Sequence, residues 1–161
     1  MSTSSTVESR LAELGLELPP VAAPVAAYVP AVVSGSWVHT SGQLPFVDGA
    51  LPATGKVSAS GAEGTVSPEA AKELAARAAL NAVAAVKDRI GDLDRVTRIV
   101  KVVGFVSSDP SFTGQPGVVN GASELLGRIF GDAGVHARSA VGVAVLPLDS
   151  PVEVELIVEF A

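Results

Sequence analysis

Residues 136–160 read HARSAVGVAVLPLDSPVEVELIVEF, and this stretch decides the fold. Its second half, Val152–Phe160, alternates apolar with mostly acidic residues, which is typical of a β-strand with one buried face. Its first half, residues 139–146, is apolar on both sides of the predicted strand. A loop of five residues, 147–151, contains proline, aspartate and serine. We therefore expect the two strands to pair as a closing hairpin.

Two helices are predicted upstream of this stretch. Ser67, Pro68 and Glu69 combine a hydroxyl N-cap, a proline at the first position and an acid at the positive end of the helix dipole. The helix runs to Gly91 and has an apolar stripe of Ala71, Leu74, Ala75, Ala78, Ala82, Val86 and Ile90. Its polar stripe is expected to face outward and consists of Glu69, Glu73, Arg77, Asn81 and Asp88.

The second helix is predicted over residues 117–130, with an exposed pair between Glu124 and Arg128. Residues 99–106 are apolar on both sides apart from Lys101, which indicates a strand inside the sheet. A short amphipathic helix is expected over residues 7–14.

Turn signals predict the remaining elements. Residues 29–33 and 37–41 flank Ser34-Gly35-Ser36 and are expected to form a β-hairpin. Asp48-Gly49 favours a further tight turn. Residues 52–66 are expected to be a long loop, either a lid or disordered.

The predicted fold class is therefore α+β, with one mixed sheet and two helices on a single face. The other face of the sheet keeps apolar side chains, and no predicted helix remains to cover it. Only 17% of the 161 residues are charged, against about 25% in an average soluble domain. Both observations indicate that another copy of the chain covers this face.

Composition excludes several classes of function. The formal net charge is -6 and no basic cluster is present, so nucleic acid is not an expected partner. The chain has no cysteine, and its two histidines, His39 and His136, lie far apart, so no metal site is expected. Four prolines interrupt the uncharged residues 18–33, which excludes a membrane span. The N-terminus lacks the features of a signal peptide, and we expect a cytoplasmic protein.

Three strings carry a resemblance to a known family. HTSGQLP at residues 39–45, FVSSDPSF at residues 105–112 and the block at residues 136–159 occur in an order similar to that of the RidA family. This family is also called YjgF and was formerly called the L-PSP endoribonucleases. The similarity covers about residues 24–160. It divides the chain into an N-terminal extension, residues 1–23, with a short helix and a proline-rich arm, and a RidA-like domain, residues 24–161.

The resemblance implies a chorismate-mutase-like fold, a homotrimer and a small-ligand cleft between subunits. It also implies hydrolysis of reactive 2-imino or enamino acids to 2-keto acids and ammonia, without metal or cofactor. Arg138 matches the arginine that holds the substrate carboxylate, and Glu153 matches the acid that positions water. Further substrate-binding positions are matched by Tyr28, Ser41, Gly42 and Asn120.

The residues themselves leave other interpretations open. Arg138 precedes a strand and could form a surface or subunit salt bridge, while Glu153 could be one of several solvated glutamates. A trimeric protein that binds a carboxylate ligand without catalysis is the alternative to the enzyme, and an endoribonuclease or translation inhibitor is the third hypothesis. Gly142 stands where many RidA proteins carry an acid, and the loop at residues 52–66 is long. Both departures bear on the substrate.

Overall fold

The computed structural model describes residues 6–21, 23 and 26–161. The described residues form three α-helices and five β-strands. In chain order they are α1 (Thr6–Glu13), β1 (Ala31–Ser34), β2 (Trp37–Thr40), α2 (Pro68–Ile90), β3 (Val96–Ser107), α3 (Gln115–Phe130), β4 (Ala137–Val143) and β5 (Val152–Phe160). Short 3₁₀ turns are found at Leu93–Arg95, Gly131–Gly134 and Pro147–Asp149.

The five strands form one mixed sheet in the order β1-β2-β5-β3-β4. All neighbours are antiparallel except β3 and β4, which are parallel. Strand β3 lies inside the sheet, as the sequence predicts, and α2 and α3 pack on one face of it. The α+β architecture predicted from the sequence is therefore confirmed.

The predicted hairpin between β4 and β5 is wrong. Helix α3 carries the chain from β3 back to its parallel neighbour β4, as a β-α-β connection requires. The chain then passes over the end of β3, where the Ser107 amide donates to the Pro151 carbonyl at 2.9 Å. Strand β5 consequently pairs with the opposite side of β3. The apolar pattern of both strands is real, but it does not reveal that β3 separates them.

Both predicted tight turns are confirmed. Ser34 pairs with Trp37 across a two-residue turn in which Gly35 has a φ of 57°. A conformation with positive φ at the first turn position favours glycine. At the second turn, Asp48 and Gly49 have φ of 50° and 81°, as a type I′ turn needs.

Side chains of β3 alternate between the helix layer and the open face of the sheet. Val102 is fully buried under the helices, and its neighbour on β4 is Arg138. Phe105 lies on the open face, and its neighbour on β5 is Glu153. Because paired residues in a sheet share a face, Arg138 lies on the helix side and Glu153 on the open side.

The open face of the sheet is apolar at several positions. Val32, Trp37 and Val141 are 52%, 37% and 44% exposed. Apolar side chains of this size rarely form a continuous exposed surface on a monomer. In a single chain the helices leave this face uncovered, as the sequence predicts.

Helix α2 begins at the predicted N-cap, where the Ser67 hydroxyl accepts a hydrogen bond from the Ala70 amide at 3.1 Å, and ends before Gly91. The predicted apolar stripe of α2 is buried. Its polar stripe is not uniformly exposed, because Asn81 is 6% exposed. The Asn81 amide donates to the carbonyls of Leu44 and Phe46 at 2.9 and 3.2 Å. The chain after β2 therefore covers part of the α2 face that the sequence periodicity predicts to be exposed to solvent.

The predicted ion pair between Glu124 and Arg128 within α3 is not formed. Glu124 instead forms an ion pair with Lys72 on α2 at 3.2 Å. A partner on a neighbouring helix competes with the i,i+4 partner, and the sequence of α3 alone does not reveal it.

The loop at residues 52–66 is anchored to the sheet. The Val57 amide donates to the Ser107 carbonyl at 2.7 Å, and Asp109 donates to the Val57 carbonyl at 3.0 Å. Val57 and Val66 are buried in the hydrophobic core. This loop therefore extends the end of β3 as part of the folded unit.

The N-terminal extension contributes to the same core through α1. Val7 and Leu11 are buried, and α1 packs against α3. The Asp94 carboxylate accepts hydrogen bonds from the amides of Thr6 and Val7 at 2.8 and 2.9 Å. In the part of the chain that the structure describes, no helix is long and apolar enough to span a membrane.

Helices α2 and α3 approach closely at Gly121. A Cβ on Gly121 would lie 1.9 Å from the Lys72 carbonyl oxygen on α2. The variant Gly121→Ala must separate the helices, and we expect it to lower the free energy of unfolding by about 1–3 kcal/mol in urea titrations. The matched control is Gly127→Ala on the same helix, where a Cβ meets nothing within 4 Å. It should be neutral or stabilising by up to about 1 kcal/mol, and equal losses would contradict this explanation.

Candidate functional site

Arg138 lies on the edge strand β4 and reaches across to α3. Its Nη1 donates to Asn120 Oδ1 at 2.8 Å and to Ser123 Oγ at 3.2 Å. Its Nη2 donates to the Pro116 carbonyl at 3.2 Å. Three neutral acceptors on one helix thus hold the guanidinium. Arg138 and Asn120, two of the six residues predicted to share a site, are in direct contact.

One edge of this guanidinium is free for a ligand. Arginine carries five N–H donors in a planar fork, and the bonds to α3 leave Nε and one Nη2 hydrogen without an acceptor among residues 6–21 and 26–161. No carboxylate in the same part of the chain forms an ion pair with Arg138. Of the two alternatives considered from the sequence, a surface salt bridge within the chain is therefore replaced by neutral hydrogen bonds, and a bridge to another subunit is not tested. The free edge can donate two parallel hydrogen bonds to a carboxylate.

Ser123 and His136 are two neighbours of Arg138 that the sequence analysis does not assign to the site. Ser123 Oγ lies 2.9 Å from His136 Nε2, and His136 Nδ1 lies 2.6 Å from the Gly134 carbonyl oxygen. The sequence spacing could have identified Ser123, because it follows Asn120 by three residues on a helix and therefore lies on the same helix face.

Glu153 lies on the open face over an irregularity between β2 and β5. His39 pairs with Ile157 and Gln43 pairs with Val154. Three residues, 40–42, therefore lie opposite only two residues of β5, 155 and 156. One extra residue in one strand is the mark of a β-bulge. The bulge contains Gly42, where a Cβ would lie 1.9 Å from Glu153 Oε1. The glutamate carboxylate therefore occupies the space that a side chain at position 42 would need.

The environment raises the pKa of Glu153 above its ordinary value. The main cause is burial, which disfavours the charged form, and the negative charge of Glu155 adds to it. In the described ranges, no group donates a hydrogen bond to this carboxylate. Its oxygens are available to water or a ligand, and it takes up a proton more readily than an exposed glutamate does.

Ser41 and Tyr28 adjoin the bulge. The Ser41 hydroxyl donates to the Val29 carbonyl at 2.6 Å, and the Ser41 amide donates to Pro30 at 2.8 Å. These bonds hold the segment that carries Tyr28 beside Gly42. Tyr28 itself is 45% exposed.

The structure thus divides the sequence-predicted residues into two groups. Arg138 and Asn120 form the first group, on the helix side of the sheet. The second group lies at the bulge on the other side and consists of Glu153, Gly42 and Ser41, and the segment that follows Tyr28 is hydrogen-bonded to Ser41. Strand β3 lies between β4 and β5, so the two groups do not meet within one chain.

Gly142 lies on the same side of β4 as Arg138, and a neutral amide fills the space beside it. A Cβ at this position would lie 2.7 Å from Gln115 Nε2 and 3.2 Å from Ser108 Oγ. Gln115 Nε2 donates to Ser108 Oγ at 3.1 Å and to the Phe112 carbonyl at 2.7 Å. An acid at position 142 would have to displace this amide. Among the described residues, no group of three possible metal ligands comes together.

A comparison with protein families gives one match over most of the chain. The sequence profile of the family described as "YjgF/chorismate mutase-like, putative endoribonuclease" matches residues 8–160. The chain belongs to the YjgF/RidA family. The YjgF/RidA fold accounts for the mixed sheet with its helices on one face.

Relatives of this YjgF/RidA protein are similar over nearly their full length. Protein TCP17 of Trypanosoma cruzi is 49% identical over 158 residues, which is 97% of this chain and 95% of the relative. A crystal structure of a putative endoribonuclease from Shewanella oneidensis is 38% identical in sequence and superposes with a TM-score of 0.90. The match covers 97% of this chain and 100% of that one.

Two further solved structures, of lower similarity, are those of proteins named RidA and TdcF. RidA from an Antarctic Psychrobacter species is 27% identical at a TM-score of 0.58, over 89% of this chain and 94% of that one. TdcF of Escherichia coli, crystallised with bound serine, is 26% identical at a TM-score of 0.58, again over 89% and 94%.

The contact between Gly42 and Glu153 gives a testable pKa. In Gly42→Ala, the new methyl group must push the carboxylate away from the bulge toward water. The pKa of Glu153, raised in the wild type by burial, should then fall toward its ordinary value in a ¹³C NMR titration. Glu155→Gln is the comparison, since it removes a neighbouring negative charge and should also lower this pKa while leaving the bulge intact. An unchanged pKa in Gly42→Ala would contradict the assigned cause.

Proposed function

We propose that this protein hydrolyses small 2-imino or enamino acids to 2-keto acids and ammonia, in a cleft between subunits of a homotrimer. The observation that carries the proposal is the guanidinium of Arg138. It is held by three acceptors on α3 and keeps one edge free.

Arg138 supplies recognition of the substrate carboxylate. Two parallel N–H bonds from a planar guanidinium define both the position and the orientation of a carboxylate. Because α3 already orders the side chain, binding does not have to immobilise it. The serine bound to TdcF is a small molecule with a carboxylate, and it supports a ligand of this class.

Glu153 positions and activates the attacking water molecule. Its carboxylate accepts a hydrogen bond from water, takes a proton as the water oxygen attacks the C=N carbon, and returns a proton to the nitrogen. The carbinolamine then releases ammonia and leaves the 2-keto acid, with no change of oxidation state. Because burial raises the pKa of Glu153, its carboxylate is a stronger base toward water than an exposed glutamate is. A pKa that lies closer to the working pH also suits a group that must both take and return a proton.

Two copies of the chain are needed because the two groups face away from each other. Arg138 lies beside Val102 on the helix side, whereas Glu153 lies beside Phe105 on the open side. A ligand that contacts both must therefore take Arg138 from one subunit and Glu153 from another. Exposed apolar side chains on the open face, Val141 and Trp37 among them, support burial of this face against another copy.

Two other functions are consistent with parts of this geometry. A carboxylate-binding protein without catalysis would use the Arg138 clamp alone. An endoribonuclease is what the family description and the Shewanella structure suggest, but the net charge of -6 and the 4% aromatic content disfavour an RNA site. Imine hydrolysis is the proposed function because it uses both the Arg138 group and the Glu153 group.

Substitutions at Arg138 and Glu153 separate binding from chemistry. Arg138→Ala should abolish binding of a 2-keto acid product in calorimetry, and Arg138→Lys should restore little of it, since a point charge cannot reproduce two parallel bonds. Glu153→Gln should keep binding but slow imine hydrolysis at least about 100-fold, because the water loses its base. An amino-acid oxidase can generate the imine, and release of the keto acid can be followed.

Stability measurements control this experiment. The raised pKa of Glu153 means that its charge opposes folding above the ordinary value of 4.5. Glu153→Gln should therefore be as stable as the wild type or more so at neutral pH, with the difference lost below that value. Binding without turnover in the wild type would establish the carboxylate-binding alternative. Dissociation of Arg138→Ala with activity per folded oligomer unchanged would overturn the site assignment.

Mixed oligomers test whether the site is shared. Trimers of Arg138→Ala alone or Glu153→Gln alone should have little activity, but mixed trimers place an intact Arg138 beside an intact Glu153 at some interfaces. Random equal mixing in a cyclic trimer should restore about one quarter of the wild-type sites. Sedimentation should show a trimer throughout. No recovery of activity in co-refolded mixtures, or a stable monomer at micromolar concentration, would refute the inter-subunit cleft.

A further inference from the structure

We propose that Ser123 and His136 are positioning residues that set the orientation of the Arg138 guanidinium. The inference rests on the proposed function, because it concerns how the carboxylate clamp is kept ready for its ligand. It goes beyond that function by assigning roles to a serine on α3 and to the histidine just before β4, both of which act through Arg138.

The direction of the hydrogen bonds follows from the chemistry of the partners. The Gly134 carbonyl can only accept, so the 2.6 Å contact requires the proton of His136 on Nδ1. In the neutral imidazole, Nε2 is then an acceptor, and the Ser123 hydroxyl at 2.9 Å must donate to it. With its hydrogen committed in this way, the Ser123 oxygen presents lone pairs to Arg138 Nη1 at 3.2 Å. The chain of bonds has one consistent direction from Arg138 to Gly134.

This chain of bonds determines which edge of the guanidinium is free. Ser123 and Asn120 take the two hydrogens of Nη1, and the Pro116 carbonyl takes one from Nη2. The edge formed by Nε and the second Nη2 hydrogen remains. If the Ser123 hydroxyl could rotate freely, it could direct its own hydrogen at Nη1 and repel it. His136 prevents this by accepting that hydrogen.

The spacing of these residues on their elements supports a joint role. Asn120 and Ser123 are one turn apart on α3 and lie on the same face. His136 precedes Arg138 by two residues, which places both on one side of an extended chain. Two short local patterns, Asn-x-x-Ser and His-x-Arg, therefore interlock across the groove between α3 and β4.

Ligand affinity tests the role of Ser123. With pyruvate as the probe, Ser123→Ala should raise the Kd about tenfold, the effect expected for loss of one hydrogen bond to a charged group. In the imine assay it should raise KM far more than it lowers kcat, since Glu153 is untouched. Ser123→Thr keeps the hydroxyl and should restore the affinity. The control is Glu124→Gln, the next residue on α3, which pairs with Lys72 and should leave Kd unchanged.

Substitutions at His136 test whether it acts through Ser123. His136→Leu removes the acceptor and should weaken pyruvate binding, while His136→Gln keeps an acceptor near Nε2 and should weaken it less. The double variant Ser123→Ala with His136→Leu should bind as Ser123→Ala does, because the histidine has no other path to Arg138. Additive losses would show that the two residues act independently and would overturn the proposal.

A measurement without ligand distinguishes failure of this inference from failure of the proposed function. NMR of the free protein should show the His136 proton on Nδ1, and the Arg138 side-chain hydrogens should exchange faster with water in Ser123→Ala than in the wild type. A proton on Nε2, or an Arg138 equally mobile in both proteins, would overturn the positioning role. If these signatures are present but the wild type binds no 2-keto or 2-imino acid, the proposed function fails while the positioning of Arg138 stands.

Discussion

Alternation of side chains across β3 and its two neighbours is the constraint on which the candidate site depends. Val102 and Phe105 are three residues apart and face opposite sides, so the residues paired with them face opposite sides as well. Arg138 is thereby committed to the groove with α3, and Glu153 to the open face. A shift of one residue in either pairing would exchange the faces of that strand, bury a charge and expose the core. The core of the fold and the division of the site are set by the same register.

The helix layer depends on small residues for a related reason. All nine residues of α2 from Ala78 to Val86 are buried, between the sheet, α3 and the chain after β2, and seven of them are alanine or valine. Gly121 lets the backbone of α3 approach that of α2. This close contact positions the outer face of α3, and with it Asn120 and Ser123, at the distance that Arg138 can span from the edge strand.

Periodicity in the sequence predicts most of the elements, because each depends on its own residues. The N-cap at Ser67, the two tight turns and the one-sided strand β5 are of this kind. The pairing of β4 with β3 rather than β5 is not, since it depends on where α3 returns the chain. Asn81 follows the same rule: its partners are the carbonyls of Leu44 and Phe46, far away in sequence. For the site, the resemblance names Arg138 and Glu153, whereas their separation onto two faces follows only from the register of β4 and β5 with β3.

The surroundings of Arg138 keep its positive charge available. Each of its three hydrogen bonds ends on a neutral oxygen, and the space beside Gly142, further along the same groove, is filled by the amide of Gln115. A carboxylate at either place would compete with a ligand for the free edge of the guanidinium. An arginine held by neutral acceptors loses side-chain freedom on folding, while the strongest electrostatic interaction available to it is still unmade. The absence of an acid at position 142 is thus compatible with a carboxylate site, because recognition depends on the charge that remains uncompensated.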